Sequence, residues 1–266
     1  MTTPRLIASD ADGTLLTPLE RVSDRTAAVV RRAIDAGAVF VVATGRPPRW
    51  TRPILDQLGL RGPAVCNNGS MVYDFAEERV LSQAALDPIL LRDAAKAVTR
   101  AIPGSTLAVE RAEGADTDCF LVEEGYVHAW ANTEAVLVPR DELLGKPAVK
   151  LLVRNALLTS DEMATAAKAV LDGAVDVTFS IGSGLIELVV SGVSKATGLE
   201  LLADRFGLTA ADVVAFGDMP NDIAMLGWAG IGVAMGNAHP SALEAADEVT
   251  APNSEDGVAQ VLERWF

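Results

Sequence analysis

The sequence predicts an α/β fold: a doubly wound parallel sheet interrupted by an inserted α+β region. Two observations predict it. Short β-branched runs alternate with amphipathic helix signals at both ends of the chain, as in βαβ units. Between about Leu86 and Leu185 the alternation gives way to two long helix signals, each preceding strands. The chain has 266 residues, half of them hydrophobic, enough to bury a core domain and a smaller second one.

The elements follow in order. Leu6–Ser9 is a short apolar run. Ser23 is placed as a helix N-cap, and the helix over "DRTAAVVRRAIDAG" stops at Gly37. "AVFVVATG" is a continuous run of the buried, parallel-sheet kind. A helix from Thr51 to Leu58 leads to the strand "PAVCNNG". In the middle, "PILLRDAAKAVTRAI" precedes the strands "STLAVERA", "DCFLVEEGYVHAW" and "AVKLLVRN". "DEMATAAKAVLDG" precedes "VDVTFSIG" and "GLIELVVSG". The end of the chain returns to alternation. Helices over "KATGLELLADRFG", "NDIAMLGWAG", "SALEAAD" and the closing "SEDGVAQVLERWF" frame strands over "DVVAFGD", "GIGVAMGN" and "EVT". Met225, Leu226 and Trp228 are expected in the core. The domain reading is a core over 1–82 and 188–266, with an insertion over 83–187.

Composition narrows the partners. Lys and Arg number 22 against 36 Asp and Glu, a formal charge of −14. Such a surface repels phosphate backbones and anionic lipid, which argues against nucleic acid and membrane partners. Two cysteines, Cys66 and Cys119, fall short of a disulfide framework and fit a reduced cytoplasmic protein. His128 and His239 stand far apart, against a His-rich zinc site. No charged-then-apolar leader precedes Asp10, and no apolar run reaches the ~18 residues of a membrane span.

Polar residues collect where the core strands end, which is where parallel α/β sheets bind ligands. The ends read Ser9-Asp10-Ala11-Asp12, Thr44-Gly45-Arg46, Asn67-Asn68-Gly69, Gly217-Asp218 with Asn221-Asp222, and Gly236-Asn237. One Asp ending a strand is ordinarily a turn or cap residue, and Gly13 or Gly217 alone would be a turn glycine. All of them in one frame would require those coincidences together. Clustered carboxylates repel, and a hard cation with oxygen ligands keeps them ionised; Mg2+ fits best. Residues i and i+2 of an extended chain point to one side, so Asp10 and Asp12 are expected to face one substrate. Two carboxylates in different environments can divide the work, one attacking and the other handling protons.

These residues resemble a known family. "DADGTLL" is similar to the DxDGT signature of the haloacid dehalogenase superfamily of phosphatases. Thr44 in "VVATGR", Lys195 in "SGVSKATGL" and "GDMPND" at 217–222 stand where its later motifs are expected, in order. "MGNA", Met235–Ala238, resembles the Cof-like branch, whose α+β cap lies between the second and third motifs. The resemblance implies a phosphoric monoester hydrolase with Mg2+ as cofactor and small phosphorylated metabolites, such as sugar phosphates, as substrates. It implies Asp10 as the nucleophile that forms an aspartyl-phosphate and binds Mg2+. Asp12 becomes the general acid and base, touching the metal through its carbonyl. Asp218 becomes a metal ligand supported by Asp222. Thr44, Gly45 and the Ala11 amide become phosphoryl ligands, and Lys195 the balancing charge. Asn221 is placed on the phosphate or the metal shell. Arg46 touches substrate or forms a salt bridge. Met219-Pro220 departs from the usual Gly-x, and Pro220 removes a backbone donor there.

Two other readings use the same residues: a phosphotransferase such as a sugar phosphomutase, and a phospho-Asp regulatory module of receiver type. The insertion of roughly 100 residues disfavours the receiver, which is a compact single domain. In the insertion, His128, Trp130, Arg111 and Lys150 could line a substrate cleft, but each is more often an ordinary surface or packing residue. Asn68 and Asn237 are further substrate candidates.

Overall fold

The computed structural model describes residues 3–111, 120–129, 135–171 and 173–266. The chain forms two compact units, Met1–Ser82 with Ser194–Phe266, and Gln83–Val193. The fold is α/β with a parallel core sheet.

The first segment runs β1 (Leu6–Ser9), α1 (Asp24–Asp35), β2 (Val39–Val42), α2 (Pro48–Leu58), β3 (Pro63–Cys66), β4 (Met71–Asp74) and β5 (Arg79–Gln83). Ser23 caps α1 by accepting the Thr26 amide, and Val29, Val30 and Ala33 line its buried face. α2 starts before the expected Thr51 because Pro48, with its fixed φ and missing donor, suits a first helical turn. β4 and β5 were not anticipated. They extend β3 into a separate three-stranded sheet. Their turn is fixed by Asp74, whose carboxylate accepts the amides of Ala76 and Glu77.

The second unit contains α3 (Pro88–Ala101), β6 (Thr106–Arg111), β7 (Phe120–Val122), β8 (Val136–Leu137), α4 (Arg140–Leu143), β9 (Ala148–Arg154), α5 (Ser160–Lys168), β10 (Val175–Thr178) and β11 (Leu185–Val190). Its six strands lie in the order β10-β11-β9-β6-β7-β8. Of the long strand expected over "DCFLVEEGYVHAW", the described residues 120–129 pair only as β7. The chain then turns at Glu123, with Gly125 at φ 82° and the Tyr126 amide donating to the Glu123 carbonyl. The unit extends to Val193, past the expected boundary at Glu187, because β11 pairs with both β9 and β10. Arg111 donates to the carbonyls of Lys146, Glu142 and Leu143, a clamp on the turn before β9. Lys150 and Glu187 form a buried ion pair at 2.6 Å. His128 packs edge-on against Phe120 and Tyr126. Trp130 and Cys119 lie outside the described residues.

The chain re-enters the first unit through α6 (Lys195–Arg205), β12 (Val213–Gly217), α7 (Ile223–Trp228), β13 (Ile231–Ala234), α8 (Pro240–Ala245), β14 (Glu248–Val249) and α9 (Gly257–Leu262). The core sheet is parallel throughout, in the order β14-β13-β12-β1-β2. From β1 the chain winds outward to β2, then returns to β12 and winds the other way. The switch point therefore lies between β1 and β12, where such sheets open a crevice. Leu6, Ala8, Val41, Val65, Leu199, Leu202, Val213 and Met225 form a buried cluster beneath the sheet, with Trp228 against its edge. Each such aliphatic side chain contributes about 1.5–3 kcal/mol on burial. Cys66 is buried and unpaired. No described helix is long and apolar enough to cross a membrane.

One contact positions the start of α6. Gly69 follows β3 with φ 97°, and a Cβ there would stand 1.9 Å from the Ser194 carbonyl oxygen. Only glycine lets this turn touch the helix N-terminus. Ser194 caps that helix by accepting the Thr197 amide, so Lys195 is its first helical residue.

Candidate active site

The switch point collects four carboxylates and one ammonium. β1 stops at Ser9, and Ala11–Leu15 forms a tight turn with Gly13 at φ 75°. Asp10 and Asp12 therefore do not share the face of an extended strand, as the i, i+2 spacing suggested. Asp10 is buried, and its Oδ1 accepts from Lys195 Nζ at 2.6 Å. Asp12 is about half exposed, its side chain at 49 %, and meets Arg46 instead. Ala11 is fully buried between them.

Lys195 is a cation with 0 % exposure. Its second partner is Asp222 Oδ1, also at 2.6 Å. Burial would push an ammonium toward neutrality, but Asp10 and Asp222 outweigh it and hold Lys195 above the ordinary lysine range. A lysine opening a helix opposes the helix dipole, and these two anions offset that cost. Asp222 has a further task. Its Oδ2 accepts the amides of Asp218 and Met219, both at 3.0 Å, closing the turn after β12. Pro220 occupies the first position of the short helical turn Pro220–Asp222, where a missing donor costs nothing.

Asp218 is set by Thr14, whose hydroxyl donates to Oδ1 at 2.8 Å. From the sequence Thr14 reads as a turn residue beside Gly13; its partner lies 204 residues away. Gly13 is required beside it, because a Cβ there would meet Asp218 Oδ2 at 2.2 Å. Oxygens of Asp10, Asp218 and Asp222 all lie within 4.8 Å of one another. The crowding appears in the proton affinity of Asp218 and Asp10. Burial, then Asp222, pushes Asp218 up to about 7 against the pull of the Thr14 hydrogen bond and Lys195. Burial pushes Asp10 well up, and Lys195 opposes it more than any other neighbour.

The phosphate-side candidates assemble on the adjoining strand ends. The Arg46 amide donates to Thr44 Oγ1 at 3.1 Å, and the Asn68 amide to the Thr44 carbonyl at 3.0 Å. Asn221 Nδ2 donates to Asn68 Oδ1 at 3.0 Å, which joins the β3 and β12 ends. Asn237 turns out to hold the framework: its Nδ2 donates to the Gly13 carbonyl at 2.9 Å. Cys66, beneath this shelf, shares a hydrogen bond with Thr51, and burial pushes its thiol up to about 12.

Comparison with known proteins gives the class. Residues 7–262 match the model of the haloacid dehalogenase-like hydrolases. The chain is similar to 5-amino-6-(5-phospho-D-ribitylamino)uracil phosphatase YitU of Bacillus subtilis (strain 168), at 31 % identity over 100 % of this chain and 98 % of that one. It is similar to the HMP-PP phosphatase of Serratia proteamaculans (strain 568), at 32 % identity over 98 % and 95 % of the two chains. A crystal structure of a haloacid dehalogenase-like hydrolase from Bacteroides thetaiotaomicron superposes with a TM-score of 0.77, at 26 % identity over 99 % and 100 % of the chains. The chain belongs to the haloacid dehalogenase-like hydrolase family, and within it to the phosphatases.

Proposed function

We propose that this protein is a Mg2+-dependent hydrolase of small phosphorylated metabolites that works through a phosphorylated Asp10. One observation carries the reading. A buried carboxylate, Asp10, lies against a buried ammonium with two further acids close by, while a second carboxylate, Asp12, is held apart. The Asp10 oxygen attacks phosphorus, and the ester P–O bond breaks as the departing oxygen takes a proton from Asp12. Asp12 then takes a proton from water, whose oxygen displaces Asp10 and frees phosphate. Thr44, whose hydroxyl oxygen already accepts the Arg46 amide, has its proton left to donate to a phosphoryl oxygen. The Gly45 and Ala11 amides and Asn221 complete that seat, and Lys195 offsets the charge that accumulates on it. We place the activity in the reduced cytoplasm, in keeping with an unpaired buried Cys66.

The acid cluster fits a divalent cation. Three buried carboxylates face one lysine, and two of them are pushed up by burial and mutual repulsion. Asp10, Asp218 and Asp222, with the Asp12 carbonyl, would hold Mg2+ there. When bound, the ion supplies positive charge to the phosphoryl oxygens.

Release of inorganic phosphate from a metabolite panel, with Mg2+ and with chelator, tests the function. Mg2+-dependent release is expected. A product with its phosphate relocated and none released would make the protein a phosphotransferase. A long-lived phospho-Asp10 without turnover would make it a regulatory module.

The metal also makes a stability prediction. Asp218 binds a proton more tightly folded, at about 7, than in the unfolded chain, near 3.8. Between those values the folded state holds more protons, so stability is full below about pH 4 from this group and is lost as pH rises through 7. Chelated protein is expected to melt about 5 °C higher at pH 5 than at pH 8. Mg2+ should raise Tm more at pH 8 than at pH 5, because it replaces the missing proton. Equal Tm gains at both pH values would refute the cation site.

A further inference from the structure

Asp12 differs from the other acids in how it is held. Arg46 Nε donates to its Oδ2 at 2.8 Å and Arg46 Nη2 to its Oδ1 at 2.5 Å. This two-pronged grip fixes both oxygens and the plane of the carboxylate. Arg46 is itself anchored. Its amide donates to Thr44 Oγ1, and its carbonyl accepts the Asn67 amide at 3.1 Å. The turn that carries Thr44 and Gly45 therefore also carries the arm that holds Asp12. The turn that carries Asp12 is pinned on its own side by Thr14 and Asn237. One ion pair thus ties the end of β1 to the end of β2. Ion pairs this exposed contribute little stability, so its effect is on position.

Resting on the phosphatase reading, we propose that Arg46 is the positioning residue for Asp12, fixing the acid and base relative to the phosphoryl seat. A half-exposed aspartate without this partner would spread over its staggered rotamers. A general acid must lie within hydrogen-bond reach of the departing oxygen. The proton moves from Asp12 to that oxygen as the P–O bond breaks, and the carboxylate left behind is the form the guanidinium grips. Loss of Arg46 then costs rate in proportion to how much the leaving group needs a proton.

The test measures kcat/KM for wild type, Arg46→Ala, Arg46→Lys, Asp12→Asn and the double variant Asp12→Asn/Arg46→Ala. The substrates are p-nitrophenyl phosphate, whose leaving group is stable as an anion, and the best alkyl phosphate of the panel, whose leaving group is not. Arg46→Ala should lose about 10- to 100-fold on the alkyl phosphate and under about 3-fold on the nitrophenyl ester. Lysine restores charge without the planar grip, so Arg46→Lys should recover little of the loss. In the Asp12→Asn background, Arg46→Ala should cost under about 2-fold, because it acts through Asp12. Equal losses on both substrates, or losses that add to those of Asp12→Asn, would make Arg46 a phosphate ligand and overturn the proposal. Full rescue by lysine, no loss in Arg46→Ala, or a wild type active on the aryl ester alone would also overturn it. A wild type active on neither substrate overturns the phosphatase reading and this role together. Melting curves confirm folding, and Arg46→Lys carries the comparison if the alanine variant unfolds.

Discussion

Asp10→Asn is expected to abolish phosphate release, by about 10⁴-fold or more, while leaving the protein folded. The amide has nearly the shape of the carboxylate but cannot attack phosphorus. Its effect on stability runs the other way. Asp10 is buried among Asp218, Asp222 and Asp12, and its charge there is opposed by desolvation and offset chiefly by Lys195. Removing the charge removes both the repulsion and the Lys195 ion pair, so the melting temperature of the chelated protein should shift little. Phosphate release and melting curves, measured on one preparation, separate these effects. Residual turnover within about 100-fold of wild type would exclude Asp10 as the attacking group.

Lys195→Met is expected to produce the largest loss of stability of any single substitution at the site. Methionine matches the length of lysine and removes its charge from a position with no solvent exposure. Asp10 and Asp222 then lose the cation that each meets at 2.6 Å. Leaving buried charge unpaired costs about 3–5 kcal/mol, or a fall in Tm of about 10 °C. The sign with pH follows. At pH 5 Asp10, already pushed well up by burial, takes a proton more readily and the damage shrinks; at pH 8 it is greatest. Thermal unfolding in chelator at the two pH values reads this directly. A variant that melts like wild type at pH 8 would mean that Lys195 is not the charge holding the acids together.

The legible parts of this molecule were those where chemistry interrupts a local pattern. Apolar runs at both ends of the chain mark β1, β2, β12 and β13, and the polar residues that close them stand out against it. Ser23, Gly37 and Thr44 could be placed from their own neighbourhoods. Other features depend on partners distant in sequence. Thr14 gains its role from Asp218, and Asn237 from the Gly13 carbonyl. For Arg46 a salt bridge is slightly favoured over a substrate contact, and only the fold shows that its partner is Asp12. The reading of Asp10 and Asp12 as strand neighbours failed because the strand ends one residue before Asp10. The β4–β5 hairpin escaped because Arg79–Gln83 is largely exposed and lacks alternation. Arg111 and Lys150 are more often packing residues than cleft residues, and the structure engages Arg111 with backbone carbonyls and pairs Lys150 with Glu187.

The winding of the core sheet has a consequence for biogenesis. β1 leaves the ribosome well ahead of its neighbour β12, which begins at Val213. Until then one edge of β1 has no partner in this sheet, and Asp10 has neither its lysine nor Asp218 and Asp222. The second unit is contiguous in the chain and its strands find one another without waiting. Assembly of the acid cluster is therefore a late, long-range event, and the newborn chain carries Asp10 as an ordinary solvated carboxylate. A truncated or stalled polypeptide would carry Asp10 without the ammonium and the acids that surround it in the folded core.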